Sequence, residues 1–257
     1  MTPSITRTKI NSRAARLLAV LFWLLVWQLA ALLVGYEFLL ASPLSVLGSL
    51  FALLLKGSTY LVALHSTLRV LLGFLSALML ALALSALATR FTLVKTLIAP
   101  LVAAARAVPV SSFVILAIIL VSTRWLSALI AFVIGFPVIY TNLMEGLKAR
   151  DKKLQEMAQV FAVRPILRLK LITLPQLLPY LRAGALTALG LCWKSGVAAE
   201  VIGIPRGSIG EQLYSVKVNY YTADLFAWTV IIVLLSLLCE RLLRLLLDRG
   251  MKKAVRA

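Results

Sequence analysis

The chain is poor in acids, histidine and cysteine. Nine Asp and Glu stand against 27 Lys and Arg, with one histidine and two cysteines. A single His65 excludes most histidine-based metal sites and nucleophile triads. It also weighs against an intramembrane hydrolase, such as a lipid-processing enzyme, which needs His, Asp or Cys clustered at one depth. Cys192 and Cys239 both fall in apolar runs, so there is no disulfide framework. A G-x-x-x-x-G-K-[ST] phosphate loop is missing, so any ATP-driven work draws on another chain. Low-complexity linkers and polar stretches long enough for a soluble domain are also lacking. No catalytic residue, metal site or cofactor is expected, and residues 1–257 read as one domain.

Apolar residues dominate. They make up 62% of the 257 residues, and the mean hydropathy is +1.00. A soluble domain is about 45–50% apolar, so the excess points to lipid. The formal charge is +18, but the cations cluster at the ends of apolar runs. There they meet lipid head groups, which argues against nucleic acid as the partner. A helix needs about 20 apolar residues to cross hydrocarbon. Six runs qualify: Leu17–Val34, Val70–Ala88, Leu97–Val121, Trp125–Met144, Ala183–Ile204 and Leu225–Leu247. The first is too long for a signal-peptide core and no A-x-A site follows it, so it reads as a retained span. With the N-terminus inside, 20 of the 27 Lys and Arg face the cytoplasm, Arg7 and Lys9 among them. Both termini are therefore expected to be cytoplasmic.

Two outer segments carry helix starts. Ser42-Pro43 reads as a cap followed by proline in the first turn. Ser208 and Glu211 have capping-box spacing, and Thr222 is a candidate cap for the last span. Small residues recur every four positions at Gly73, Ala77, Ala81 and Ser85, and again at Gly184, Ala188, Cys192 and Gly196. That pattern lets helices approach closely in lipid. Glu200 continues the second stripe, so it is expected to face protein. Arg106 and Lys194 fall near mid-membrane when counted from Lys95 and Arg182. Charges there cost at least ~2.5–3.5 kcal/mol unless paired or wetted. Two arrangements answer that cost. In one, Arg106, Lys194 and Glu200 line a pathway that tolerates or attracts an anion. In the other, Glu200 pairs with one cation and a backbone carbonyl takes the second. Pro109, with Ser111 and Ser112 after it, is placed to open the third span.

The longest gap between runs, Glu145 to Arg182, holds "QEMAQVFAVRPILRLKLITLP". Leu154, Met157, Ala158, Phe161 and Ala162 share one face of a short helix. Pro165 opens a second helix, "PILRLKLITL", and Pro175 is expected to end it. Pattern alone leaves two readings: a compact cytoplasmic knuckle, or an amphipathic hairpin resting on the inner leaflet.

This stretch resembles the EAA motif of membrane subunits of bacterial ABC importers. That motif runs E-A-A, three residues, G, nine residues, I-x-L-P. Here Glu156-Met157-Ala158 is followed at the same spacing by Ala162 and by Ile172-Thr173-Leu174-Pro175. Met157 stands for Ala, and Ala162 for Gly. "STLRVLLGF", "ARAVP", "VAAEVIG" and "TADLFAW" extend the resemblance to the branch handling nitrate, sulfonates, taurine and thiamine precursors. The resemblance implies an all-α polytopic membrane protein of about six transmembrane helices, with the MetI-like fold of type I ABC importer permeases. It implies that residues 148–179 form a coupling segment, with Glu156, Met157, Ala158, Ala162, Ile172, Leu174 and Pro175 at the contact with an ATPase. It further implies two ATPase subunits, a second permease copy, an extracytoplasmic solute-binding protein and a place in the bacterial cell membrane. The competing readings are a membrane scaffold and an intramembrane lipid-processing enzyme.

Overall fold

The computed structural model describes residues 12–256, as eleven α-helices and one π turn, without strands among the described residues. Arg7 and Lys9, part of the basic N-terminal cluster, lie outside the described residues. Contacts divide the chain into two units, residues 1–57 with 215–230, and residues 58–214 with 231–257.

In the first unit, α1 (Ser12–Val34) ends at Gly35, whose φ of +68° is the left-handed conformation glycine adopts without penalty. The helix α2 (Pro43–Leu55) starts as its sequence predicts. The Ser42 side chain accepts from the Ser45 amide at 3.2 Å, and Pro43 occupies the first turn. The Trp27 indole donates to the Ala41 carbonyl at 3.1 Å. Thr222 does not cap the last helix. It is that helix's first residue, and its hydroxyl donates to the Phe38 carbonyl at 2.6 Å. A hydroxyl committed to that carbonyl ties the helix start to the turn before α2.

The second unit is built on α3 (Gly57–Arg90), α6 (Thr123–Lys148) and α9 (Leu174–Gly203). The two small-residue stripes are its packing surfaces, and every member of both is buried. A β-carbon on Gly73 would overlap the Ala128 carbonyl, and one on Gly146 would sit 2.7 Å from Tyr180 Cγ. Helices α6 and α9 run antiparallel, as paired contacts at Gly146–Tyr180, Gly184–Asn142 and Gly135–Cys192 show. Cys192 Sγ donates to the Ala131 carbonyl at 3.0 Å across the same seam. The end of α11 (Thr222–Arg256) joins this unit through Arg182–Asp248 at 2.7 Å and the Trp193 indole bond to the Ile232 carbonyl at 2.9 Å. Glu240 and Arg244 form the i,i+4 pair that their spacing suggests, at 2.7 Å.

The third expected span is not one helix. It divides into α4 (Thr92–Ala107) and α5 (Val110–Leu120), which meet at 108°. Pro109 lacks the amide that would continue the ladder, and it holds Val108 extended at φ −72°, ψ 127°. Among the described residues four helices are long and apolar enough to cross a membrane alone, and the number is five when the bent pair is read as one broken span. The last apolar run, 225–247, lies within α11.

Candidate functional site

The gap between α6 and α9 folds as a hairpin. Asp151 starts α7 (Lys152–Val160), its carboxylate accepting from the Lys153 and Leu154 amides. The chain reverses at Ala162, whose φ is +49°. Left-handed backbone normally selects glycine, so alanine holds this turn at a penalty of about 1–2 kcal/mol. Pro165 opens α8 (Pro165–Arg168) as expected. Pro175 does not end the helix that follows. A π turn over Leu169–Thr173 leads directly into α9, with Pro175 in its first turn. A π turn widens the helix and shifts the ladder, which accommodates the proline's missing amide and its bulk. The second arm of the hairpin thus runs into α9 as one continuous helix from Pro165 to Gly203.

Its apolar face is not folded inward. Of the five residues predicted to share it, only Ala158 is buried, while Met157 is 48% and Phe161 74% exposed. Glu156 is exposed, and among the described residues it makes no ion pair. It borders a cleft of about 310 Å³ with Lys148, Arg150, Lys152 and Arg168. Gln155 is the internal fastener, accepting from Arg168 Nε at 2.6 Å. Ala162 and Leu174 are exposed, and Ile172 and Pro175 half-buried.

Glu200 lies at the other end of the α6–α9 pair and is fully buried. From Arg182 it is about 27 Å along the helix, so it sits near the far end of its span rather than at mid-depth. Neither Arg106 nor Lys194 reaches it. Its ion pair is Arg69 of α3, Nη1 to Oε1 at 3.6 Å. Ser66 donates to it at 2.6 Å and Ser127 at 3.2 Å, and the Gly210 amide at the start of α10 (Ile209–Val218) lies 3.5 Å away. The Ile209 amide donates in turn to Ser66 Oγ at 2.9 Å. The cap that starts α10 is half of a capping box: Ser208 Oγ accepts from the Glu211 amide, while Glu211 accepts from Gly207 and not from Ser208. Four elements therefore converge on one carboxylate. Arg69 went unassigned by sequence because it lies 131 positions from Glu200, yet Ser66, Arg69 and Gly73 at i, i+3 and i+7 already mark one face of α3. Ile204 closes α9 at φ +45°, a strained conformation for a β-branched residue. Arg69 Nη2 spans that turn to the Arg206 carbonyl at 3.3 Å.

The other two candidates separate. Arg106 is exposed and borders a cleft of about 310 Å³ with Lys95, Tyr140 and Lys148, at the hairpin end. Lys194 is exposed, and among the described residues it has no ion pair.

Residues 81–253 match the model of the binding-protein-dependent transport system inner membrane component family. The chain belongs to that family. It is a multi-pass membrane permease of the ABC transporter class. A putative aliphatic sulfonates transport permease, SsuC of Bacillus subtilis, is 27% identical over 86% of this chain and 80% of its own length. A probable ABC transporter permease of Brucella melitensis is 27% identical over 80% of this chain and 83% of its own. The bicarbonate transport permease CmpB of Synechococcus elongatus is 26% identical over 44% of this chain and 40% of its own. Scaffold and lipid-enzyme readings are set aside by the family match. Members of such transport systems work with ATPase and binding-protein partners.

Proposed function

We propose that the permease works as a homodimer, with two ATPase subunits docked on the α7 hairpins and an extracytoplasmic solute-binding protein at the opposite end. Residues 1–257 act as one permease domain in the bacterial cell membrane, both termini cytoplasmic. ATP is hydrolysed by the partner, and closure of the partner moves α9 through the π turn. Glu156, Met157, Ala158, Ala162, Ile172, Leu174 and Pro175 form the coupling contact. The observation that carries this reading is the bare face of α7, where an unpaired acid stands beside exposed Met157 and Phe161. A hairpin merely resting on anionic lipid would gain nothing from that acid.

The solute is a small anionic or organic molecule of the nitrate, sulfonate, taurine or thiamine-precursor kind. Two relatives named for aliphatic sulfonates and bicarbonate support an anion. A photo-crosslinker at Met157 should capture a polypeptide carrying G-x-x-x-x-G-K-[ST], identified by peptide sequencing, while one at Arg206 should not. Capture of no such polypeptide from Met157 defeats the docking reading. Cysteines at Lys56 and Arg206 should react with an impermeant reagent added outside intact cells, and one at Lys153 should not. Labelling of Lys153 reverses the orientation.

A further inference from the structure

Beside the Glu200 cluster lies a cavity of about 870 Å³ between α3, the first turn of α6 and the turn after α9. His65, Arg69, Arg124 and Arg206 line it, and no carboxylate does. The three arginines are not equivalent. The Arg69 side chain is 12% exposed and its charge is answered by Glu200, although its Nη1 has no hydrogen-bond partner. The Arg124 guanidinium lies 5.6 Å from the centre of the Trp125 ring, which holds it in place without neutralising it. Arg206 rides on the strained turn that begins at Ile204, and that turn is fastened to Arg69 through the Arg206 carbonyl. Among the described residues neither Arg124 nor Arg206 has an ion pair. Leu68 and Leu72 add an apolar wall.

We propose that this cavity binds an organic oxyanion on its way through the permease. Arg124 and Arg206 take the oxyanion head, and Leu68 and Leu72 take an apolar body. Arg69, fixed by Glu200 and the Arg206 carbonyl, is a positioning residue that holds the turn. Guanidinium forks match oxyanions in geometry as well as charge. The volume suits an organic molecule, since such pockets run about 300–1,000 Å³, and it is generous for an inorganic ion. The inference rests on the anion-importer reading above and deepens it, by naming a site on the permease and an organic class of anion.

The test uses the full chain with its ATPase in lipid nanodiscs and radiolabelled hexanesulfonate in equilibrium dialysis. Saturable binding is expected, with inorganic sulfate competing at least about tenfold more weakly. R124Q/R206Q should weaken hexanesulfonate by at least about tenfold. In a Cys192→Ala, Cys239→Ala background, Leu68→Cys should be shielded from maleimide by hexanesulfonate, a readout that needs no charge removal. Absence of saturable binding, equal competition by sulfate, unchanged affinity in R124Q/R206Q, or an unshielded Leu68→Cys would each overturn the proposal. Retention of the ATPase and ATP hydrolysis are measured on the same preparation. If these persist while hexanesulfonate fails to bind, the cavity assignment falls and the coupling reading stands. If the ATPase is not retained, the coupling reading falls independently of the dialysis result.

Discussion

The two ends of the α6–α9 pair treat a carboxylate in opposite ways. At one end Glu200 is fully buried and held by Arg69, Ser66, Ser127 and the start of α10. At the other, Glu156 stands exposed on a helix whose Met157 and Phe161 are also bare. The first acid belongs to the fold, because it joins α3, α6, α9 and α10. The second is exposed and makes no ion pair among the described residues, and the docking proposal rests on that bareness. One molecule thus holds one acid satisfied inside the fold and leaves the other bare on its surface.

The largest effect should come from breaking the satisfied end. Glu200→Ala leaves Arg69 buried without its counter-charge and strips Ser66 and Ser127 of an acceptor. Removing one member of a buried pair is worth about 3–5 kcal/mol. The variant should accumulate poorly, and its melting temperature in detergent should fall well below wild type. Glu156→Ala should melt within experimental error of wild type, since surface changes stay within about 0.5 kcal/mol. Equal melting of the two variants would erase the contrast.

At the open end, Glu156→Lys should insert and melt normally yet fail to retain the ATPase. Reversing a charge at a desolvated contact costs several kcal/mol. On a lipid-resting hairpin the added lysine would instead strengthen attachment by about 1 kcal/mol and leave the complex intact. A pull-down against the wild type separates these outcomes, and an undiminished ATPase band with uptake preserved sinks the coupling role.

The open end was the more legible of the two in sequence. Its motif is local: Asp151, the apolar spacing of α7, the turn at 162 and Pro165 all lie within 15 residues. The small-residue stripes were legible too, because a four-residue period repeats along one helix. What escaped depends on contacts distant in the chain. Nothing in the spacing couples Arg69 to Glu200, whereas Lys194 and Arg106 stood out by their depth counted from Arg182 and Lys95. The π turn escaped because a proline after a helical run usually ends it, and only the pull of a continuous α9 keeps the chain helical through Pro175. Periodicity marked an apolar face on α7 without telling which chain or surface covers it.

A smaller effect sharpens the hairpin. Ala162→Gly removes the left-handed penalty of about 1–2 kcal/mol but adds about 0.4–1 kcal/mol of unfolded-chain entropy. The net gain should be below about 1.5 kcal/mol, with ATPase retention unchanged or improved. Ala162→Val, β-branched in a left-handed position, should weaken retention. Hydrogen exchange at the Val163 amide, which bonds back to the Ala158 carbonyl at 2.9 Å, reads the turn directly. Faster exchange in the glycine variant would show that alanine is not strained there.

The smallest effect concerns Lys194. If it neutralised Glu200, Lys194→Met and Glu200→Gln together would destabilise less than the sum of the single changes. The geometry argues otherwise. Glu200 is surrounded by Arg69, Ser66, Ser127 and Gly210, and Lys194 is exposed on another face of α9. Six residues apart, the two positions differ by about 240° around a helix of 3.6 residues per turn. Sites that share no partner add to within about 0.3–0.5 kcal/mol. Lys194→Met alone should therefore melt like wild type, and the double variant should melt like Glu200→Gln. Detergent melting of all four proteins gives the coupling energy. A value near zero leaves Lys194 free to act on a passing anion, and uptake by the single variant then reads that role without interference from the fold. A coupling above about 1 kcal/mol, outside the additive range, would draw Lys194 into the Glu200 cluster and weaken the separation between the two ends of the pair.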